Sequence, residues 1–281
     1  MIMKKVNFRA LLVLMLAVVG LTFAACQSED SNVSTSGKLS IQLTDAPFPT
    51  DLVAQANVTI NKIEIRKTNE EDGNPFVTLS EEEKSFNLLD LTNGVTASLV
   101  DLEIEAGSYD LIRLYVADAS VKLSDGTEFD LKVPSGAQTG IKIFIDPSIE
   151  VAGGLTAELL LDFNVAKSFV AQGNISSPAG IKGFHFQPVI KASNLSTAGR
   201  LMGKVTDAEE VAIEGAQVSI IAADTVYTTS FTDENGAYAI LGIDAGTYKV
   251  EFAKDSLQTL IEDIKVVAGN ATTLDAQLLA N

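Results

Sequence analysis

The chain has 281 residues, with 37 Asp and Glu against 20 Lys and Arg and a formal net charge of −17. Such a surface repels phosphate backbones and anionic headgroups, which excludes nucleic acid as a partner and leaves a hard divalent cation such as calcium compatible. A single cysteine excludes an internal disulfide, so stability rests on hydrophobic cores, and an apolar content of 46% over this length suffices for two ordinary domains.

The chain opens with Lys4, Lys5 and Arg9, unaccompanied by an acid, ahead of an apolar run from Ala10 to Phe23. At about fifteen residues the run falls short of the roughly twenty that a bilayer span needs. Leu21, Thr22, Phe23, Ala24 and Ala25 then place small residues directly before Cys26, which reads as a lipobox, with Phe23 where such motifs most often carry Leu. The expectation is cleavage before Cys26, a diacylglycerol on its sulfur and an acyl chain on its new amino group. At roughly 0.8 kcal/mol per buried methylene, such chains hold a protein on a membrane permanently. Removing residues 1–25 leaves 281 − 25 = 256 residues and takes three positive charges away, from −17 to −20.

Residues 27–37 are polar and lack an apolar period, as expected of a tether. Gln27, Ser28, Glu29 and Asp30 resemble the acidic export signal that directs some outer-membrane lipoproteins to the cell exterior.

From Gly37 onward the pattern is that of strands. Leu39, Ile41 and Leu43 alternate with polar residues until Thr44, Asp45, Ala46 and Pro47 break the run. Val58 and Ile60 fall on one phase and Ile63 and Ile65 on the other, which predicts a β-bulge near Asn61 and Lys62. Glu70 to Pro75 reads as a turn, and Glu81 to Lys84 as a solvated charge run. Ile112, Leu114 and Val116 alternate. Val121 and Leu123 then enter an Asp125-Gly126 hairpin that returns through Phe129, Leu131 and Val133. Ile141, Ile143 and Ile145 form the next strand; Leu155, Ala157, Leu159, Leu161 and Phe163 another; and Phe184, Phe186 and Ile190 line one face of the last. Ala166 to Gln172 is expected to be a short helical turn. Many short alternating strands imply an antiparallel sandwich or barrel.

This stretch resembles an uncharacterised domain family of lipid-anchored envelope proteins in gram-negative bacteria. The matching residues are Leu43, Thr44, Asp45, Ala46 and Pro47; Thr139, Gly140, Ile141 and Lys142; Leu161, Asp162, Ser168, Phe169 and Val170; and Pro188, Val189 and Ile190. The resemblance implies a domain without assigning it an activity. After the linker Ser196 to Gly199, a second texture begins: Gly203, Val205, Asp207; Ile213, Gly215, Ala216, Val218; Thr232, Asp233, Glu234, Asn235, Gly236, Ala237, Tyr238; Ala245, Gly246, Thr247, Tyr248. It resembles a carboxypeptidase regulatory-like domain, which implies a seven-stranded prealbumin-type sandwich and no catalytic residues. Val211 and Ala212 stand where members often have Gly and Pro. Asp233 to Gly236 can close a hairpin, with Asn235 and Gly236 tolerating positive φ, and Gly246 lets the chain turn before Tyr248, Val250 and Phe252 point inward.

Chemistry-bearing patterns are sparse. His185 is the one histidine, set between Phe184 and Phe186 and therefore on the opposite sheet face, which gives neither a catalytic triad nor a zinc ligand set. Counting from Asp233, the sixth position of a calcium loop is Tyr238 instead of Gly. Scattered acids such as Asp45, Asp90, Asp101, Asp146 and Asp162 could form a carboxylate pair only if the fold converges them. The chain has no Trp and five Tyr, few aromatic platforms for sugar rings; Tyr238 and Tyr248 are expected in the core.

The sequence thus predicts an all-β protein of two antiparallel β-sandwich domains in tandem after a cleaved lipoprotein signal peptide. The expected divisions are 1–25 for the signal, 26–36 for the lipidated tether, 37–195 for the first sandwich and 200–281 for the second. The expected role is a non-catalytic binding, adhesion or scaffolding module, held in the bacterial outer membrane by its lipid, facing outward, and engaging a protein or glycan without a cofactor. Carbohydrate capture feeding glycan uptake is one alternative, with a pair of exposed tyrosines on one sheet face as its mark. A carboxylate-based hydrolase is another.

Overall fold

The computed structural model describes residues 35–46, 52–68, 75–133 and 139–279. Cys26, Gln27, Ser28, Glu29, Asp30, Pro47 and Glu70 to Asn74 of the expected Glu70 to Pro75 turn lie outside them. The described residues are all-β, and they bury two hydrophobic clusters, one drawn from residues between Leu39 and Ala192 and one from residues between Leu201 and Leu278.

The first cluster lies between sheets made from β1 (Ser36–Ala46), β2 (Val53–Lys67), β3 (Phe76–Ser80), β4 (Lys84–Asn87), β5 (Ala97–Glu105), β6 (Gly107–Leu123), β7 (Glu128–Leu131), β8 (Ile141–Val151), β9 (Thr156–Asn164), β10 (Phe169–Gly173), β11 (Ile181–Phe186) and β12 (Ile190–Asn194). One sheet runs β12-β9-β1-β5, with β1 parallel to β9. A second is built on the long pair β2 and β6, flanked by β3 and β4 along β2 and by β7 and β8 along β6, and β10 and β11 form a third, two-stranded sheet. Leu39, Ile41, Leu43, Val58, Ile60, Ile63 and Ile65 are all buried, each contributing about 1.5–3 kcal/mol of hydrophobic stabilisation.

The phase change in β2 is a bulge as expected. Ile60 faces Val116 and Lys62 faces Tyr115, so Asn61 is the extra residue that returns Ile63 and Ile65 to the core. The Asp125-Gly126 hairpin also forms. Leu123 N–H donates to the Thr127 carbonyl at 2.8 Å, and Thr127 N–H donates to Asp125 Oδ1 at 2.9 Å.

Three local expectations are corrected. Leu155 precedes β9 and is 65% exposed, so the inward series begins at Ala157. Phe184 and Phe186 belong to β11, which pairs with β10, whereas Ile190 belongs to β12 in another sheet; Gln187, Pro188 and Val189 interrupt what alternation alone joined. The helical turn is Val165–Ser168, capped by Asn164, and β10 already starts at Phe169. Its end is set by packing, because Phe169 is drawn onto Phe163 and Phe186, with ring centroids 6.3 and 5.0 Å away.

The second cluster is enclosed by β13 (Ala198–Thr206), β14 (Gln217–Ala222), β15 (Thr225–Phe231), β16 (Ala237–Asp244), β17 (Gly246–Lys254), β18 (Leu257–Val266), β19 (Ala271–Thr273) and β20 (Ala276–Gln277). The sheets run β16-β13-β19, with β20 continuing along β13, and β15-β14-β17-β18. Asp233 closes the turn into β16 by accepting from Asn235 N–H and Ala237 N–H, both at 2.9 Å. Only Gly236 takes positive φ (70°); Asn235 does not, because the Asp233 side chain has already shaped the turn.

Gly246 stands at the turn before Tyr248. Its φ is not left-handed; what matters is its missing side chain, since a Cβ there would stand 3.3 Å from the Tyr248 ring. That ring folds back so that its hydroxyl donates to the Asp244 carbonyl at 2.8 Å. The first sandwich repeats the device: Tyr109 donates to the Glu105 carbonyl at 2.7 Å across Gly107. Glu105-Ala106-Gly107-Ser108-Tyr109 and Asp244-Ala245-Gly246-Thr247-Tyr248 are thus the same tyrosine corner, built once in each sandwich.

Candidate functional site

The residues of the two sandwiches fall in one compact unit, and polar contacts along the exposed edge of β16 show how. Asn93, in the turn between a 3-10 segment (Leu88–Leu91) and β5, accepts from Ala239 N–H through Oδ1 and donates to the Ala237 carbonyl at 3.3 Å through Nδ2. One amide side chain therefore occupies the place of a further strand on an unpaired edge. Asn93 has φ of 57°, which Asn tolerates better than most residues. Further along β16, buried Ser193 donates to the Gly242 carbonyl at 3.0 Å. At the far end Lys191 is bonded to Tyr227 and pairs with Asp244 at 3.2 Å, while Tyr227 donates to Asp244 at 2.7 Å.

The packing under these bonds is tight. Leu160 is completely buried yet belongs to neither core cluster, because it points away from the first core toward Gly242. A Cβ on Gly242 would lie 3.0 Å from Leu160 and 3.1 Å from Ser193. Gly242 also has φ of 67°, so both the space and the backbone demand glycine.

Beside this lock the outer faces of the two sheets diverge and leave a half-open cleft of about 520 Å³. Gln42, Thr96 and Glu158 line it from the first sandwich, and Arg200, Met202 and Leu241 from the second. The side chains of Gln42, Thr96, Glu158 and Arg200 make no hydrogen bond or ion pair among the described residues. Met202 is 37% exposed.

The Thr44-Asp45-Ala46 motif sits beside the same junction and has a structural explanation. Thr44 Oγ1 donates to the carbonyls of Leu91 and Val95, both at 3.0 Å, which fixes the turn carrying Asn93. Asp45 Oδ1 accepts from Val165 N–H at 3.0 Å and holds the helical turn after β9. Asp45 and Asp162 border a void of about 20 Å³, room for a water molecule but not for a sugar ring. Asp101 stands apart in an exposed pair with Lys38 at 2.9 Å.

A second polar cluster covers the outer face of β2 and β6. Glu64 is 8% exposed, accepts from Tyr115 at 2.8 Å and lies 3.0 Å from Lys62 and 3.7 Å from Arg113. Burial pushes its carboxyl pKa up, but the bonds from Lys62 and Tyr115 and the charges of Lys62 and Arg113 outweigh that and hold it below the usual range. Arg113 Cζ lies over the Phe76 ring, 3.5 Å from its centre. Burial, followed by the Asp275 charge, raises the Tyr238 pKa, and Tyr248 is raised by burial and then Asp244. Tyr109, Tyr238 and Tyr248 are buried, and the two part-exposed tyrosines, Tyr115 and Tyr227, lie in different sandwiches, so no exposed pair shares a sheet face. His185 is exposed on β11.

Sequence reading found Thr44 and Asp45 but missed Asn93, Gln42, Glu158, Arg200 and Met202. Two signals pointed to the junction: an Asn93-Gly94 pair outside any alternating hairpin, and Leu160 breaking the alternation of β9.

Residues 36–178 match a family described as a domain of unknown function, DUF4382, a match that spans half of the chain. The chain belongs to the DUF4382 family. Residues 200–279 of this DUF4382 protein match the carboxypeptidase regulatory-like domain. No curated protein matches it. Among solved structures, a type II cohesin–X-dockerin complex from Acetivibrio cellulolyticus is 21% identical, covering 29% of this chain and 58% of that one, with a TM-score of 0.25. The TIE protein of Bacillus anthracis is 10% identical over 99% of this chain and 45% of that one, with a TM-score of 0.26. The major pilin subunit of Bacillus cereus is 10% identical over 88% and 71%, with a TM-score of 0.25. The DUF4382 protein thus spans 58% and 45% of the first two, and likeness of this degree carries no functional argument. No helix among the described residues is long and apolar enough to cross a membrane.

Proposed function

We propose that this DUF4382 protein is a lipid-anchored, non-catalytic binding module displayed on the outer face of a bacterial outer membrane. The anchor is Cys26, the address is Gln27 to Asp30, and the two sandwiches carry the binding surface away from the bilayer. The observation that carries the binding reading is the junction cleft. Asn93 and Ser193 fix its walls, and four polar side chains without intramolecular partners line it. Clefts between domains with an apolar floor and a few convergent polar groups are where ligands preferentially bind. A hydrolytic reading finds no support at Asp45 and Asp162, whose shared void is water-sized. Protease shaving of intact cells tests display: the wild-type protein is digested, and the variant with Glu29→Ala and Asp30→Ala is protected. Protection of both would place the sandwiches in the periplasm.

A further inference from the structure

We infer that the cleft between the sandwiches binds a short, neutral oligosaccharide segment, with Arg200 and Glu158 as its principal hydrogen-bonding side chains; this rests on the binding reading above. Three features of the lining select that chemistry. The charges of Glu158 and Arg200 oppose each other across the two walls, so the site offers no net charge to a phosphate, a polyanion or a metal ion. Its donors and acceptors are mixed. Arg200 donates through a planar fork, Glu158 accepts through two oxygens, and Gln42 and Thr96 do both. Adjacent hydroxyls of a sugar, each a donor and an acceptor, complement such a set, and carboxylate, guanidinium and amide groups each present two atoms to two hydroxyls. The exposed tyrosine pair expected of a sugar platform is absent among the described residues, and in its place the remaining walls are aliphatic, from Met202 and Leu241, which suit the C–H faces of a pyranose.

The size and shape agree with a chain segment. A volume of about 520 Å³ lies within the range of roughly 300–1,000 Å³ typical of small-ligand sites. The half-open cleft lets an oligosaccharide extend beyond it at either end. The four polar side chains make no hydrogen bond or ion pair to the rest of the described chain, so no internal bond has to break before the ligand binds.

The test uses the full chain in detergent micelles, applied to an array of neutral and uronate-containing oligosaccharides and, in parallel, to a panel of purified matrix proteins. Any neutral oligosaccharide bound on the array is then titrated calorimetrically. Arg200→Ala and Glu158→Gln each weaken its binding by on the order of tenfold. Lys142→Ala, on the outer face of the first sandwich, leaves binding unchanged. Both cleft residues are exposed, and unchanged unfolding curves confirm that the variants are folded. Failure to bind any neutral oligosaccharide, or binding indifferent to both substitutions, overturns the inference. Capture of a matrix protein that Arg200→Ala abolishes would also overturn it while leaving the binding reading in place.

Discussion

Replacing Asn93 by Ala removes both bonds that the turn makes to the edge of β16, from Oδ1 to Ala239 N–H and from Nδ2 to the Ala237 carbonyl. Each is part-buried, and a net value of about 1 kcal/mol per bond gives about 2 kcal/mol. Asn93 also holds φ of 57°, where a residue with an ordinary Cβ pays about 1 kcal/mol more. The expected loss is therefore about 3 kcal/mol of coupling between the sandwiches. Asn93→Gly separates the terms, because it tolerates the backbone and loses only the two bonds. Urea unfolding followed by the intrinsic fluorescence of the five tyrosines, which are spread over both sandwiches, reads the effect. The midpoint falls for Asn93→Ala, falls less for Asn93→Gly, and the slope stays constant unless the two sandwiches begin to unfold separately. Equal curves for wild type and Asn93→Ala would refute the claim that this amide holds the junction.

The tyrosine corners give a matched pair of predictions: Tyr109→Phe and Tyr248→Phe each cost about 1 kcal/mol in chemical denaturation, since each loses one bond to a carbonyl and retains its ring. Gly242→Ala meets both a left-handed backbone and side chains at 3.0 and 3.1 Å, so a loss of about 1–3 kcal/mol is expected in thermal unfolding, larger than that of Gly126→Ala in the exposed hairpin. Glu64 has a lowered pKa in the folded state, so its contribution is complete above the ordinary glutamate range and is lost as pH falls through the folded value. Glu64→Gln therefore flattens the acid limb of the stability-versus-pH curve. Tyr238 and Tyr248 have raised values, so their contribution is complete below the ordinary tyrosine range and is lost as pH rises from that range through the folded values. Alkaline unfolding with rising phenolate absorbance checks this.

Much of the fold is legible because strand alternation reports a core directly. Leu39, Ile41 and Leu43, the phase slip at Asn61 and the Asp125-Gly126 turn each encode a feature within a few residues, and each forms as read. The misreadings occur where tertiary packing or side-chain bonding decides. Phe169 starts a strand, inside a stretch that reads as a helical turn, because Phe163 and Phe186 hold its ring. The cleft is the least legible element. Gln42 and Glu158 look like ordinary outward-facing strand residues, as do Arg200 and Met202, and only the lock at Asn93, Ser193 and Gly242 turns two solvent faces toward one another. Tyr109 and Tyr248 show that a repeated five-residue pattern, compared between the two halves, would have revealed a shared corner.

The central claim is that the two sandwiches are held at one fixed angle and so define a permanent cleft. Its most direct test is a pulsed electron spin measurement of the distance between nitroxide labels placed at Asp101→Cys and Glu262→Cys, both exposed and one in each sandwich, in a chain that also carries Cys26→Ser so that no third label attaches. A single narrow distance distribution that broadens in Asn93→Ala is the predicted result. A broad distribution in the wild-type background would contradict the fixed junction, and with it the cleft as a preformed site.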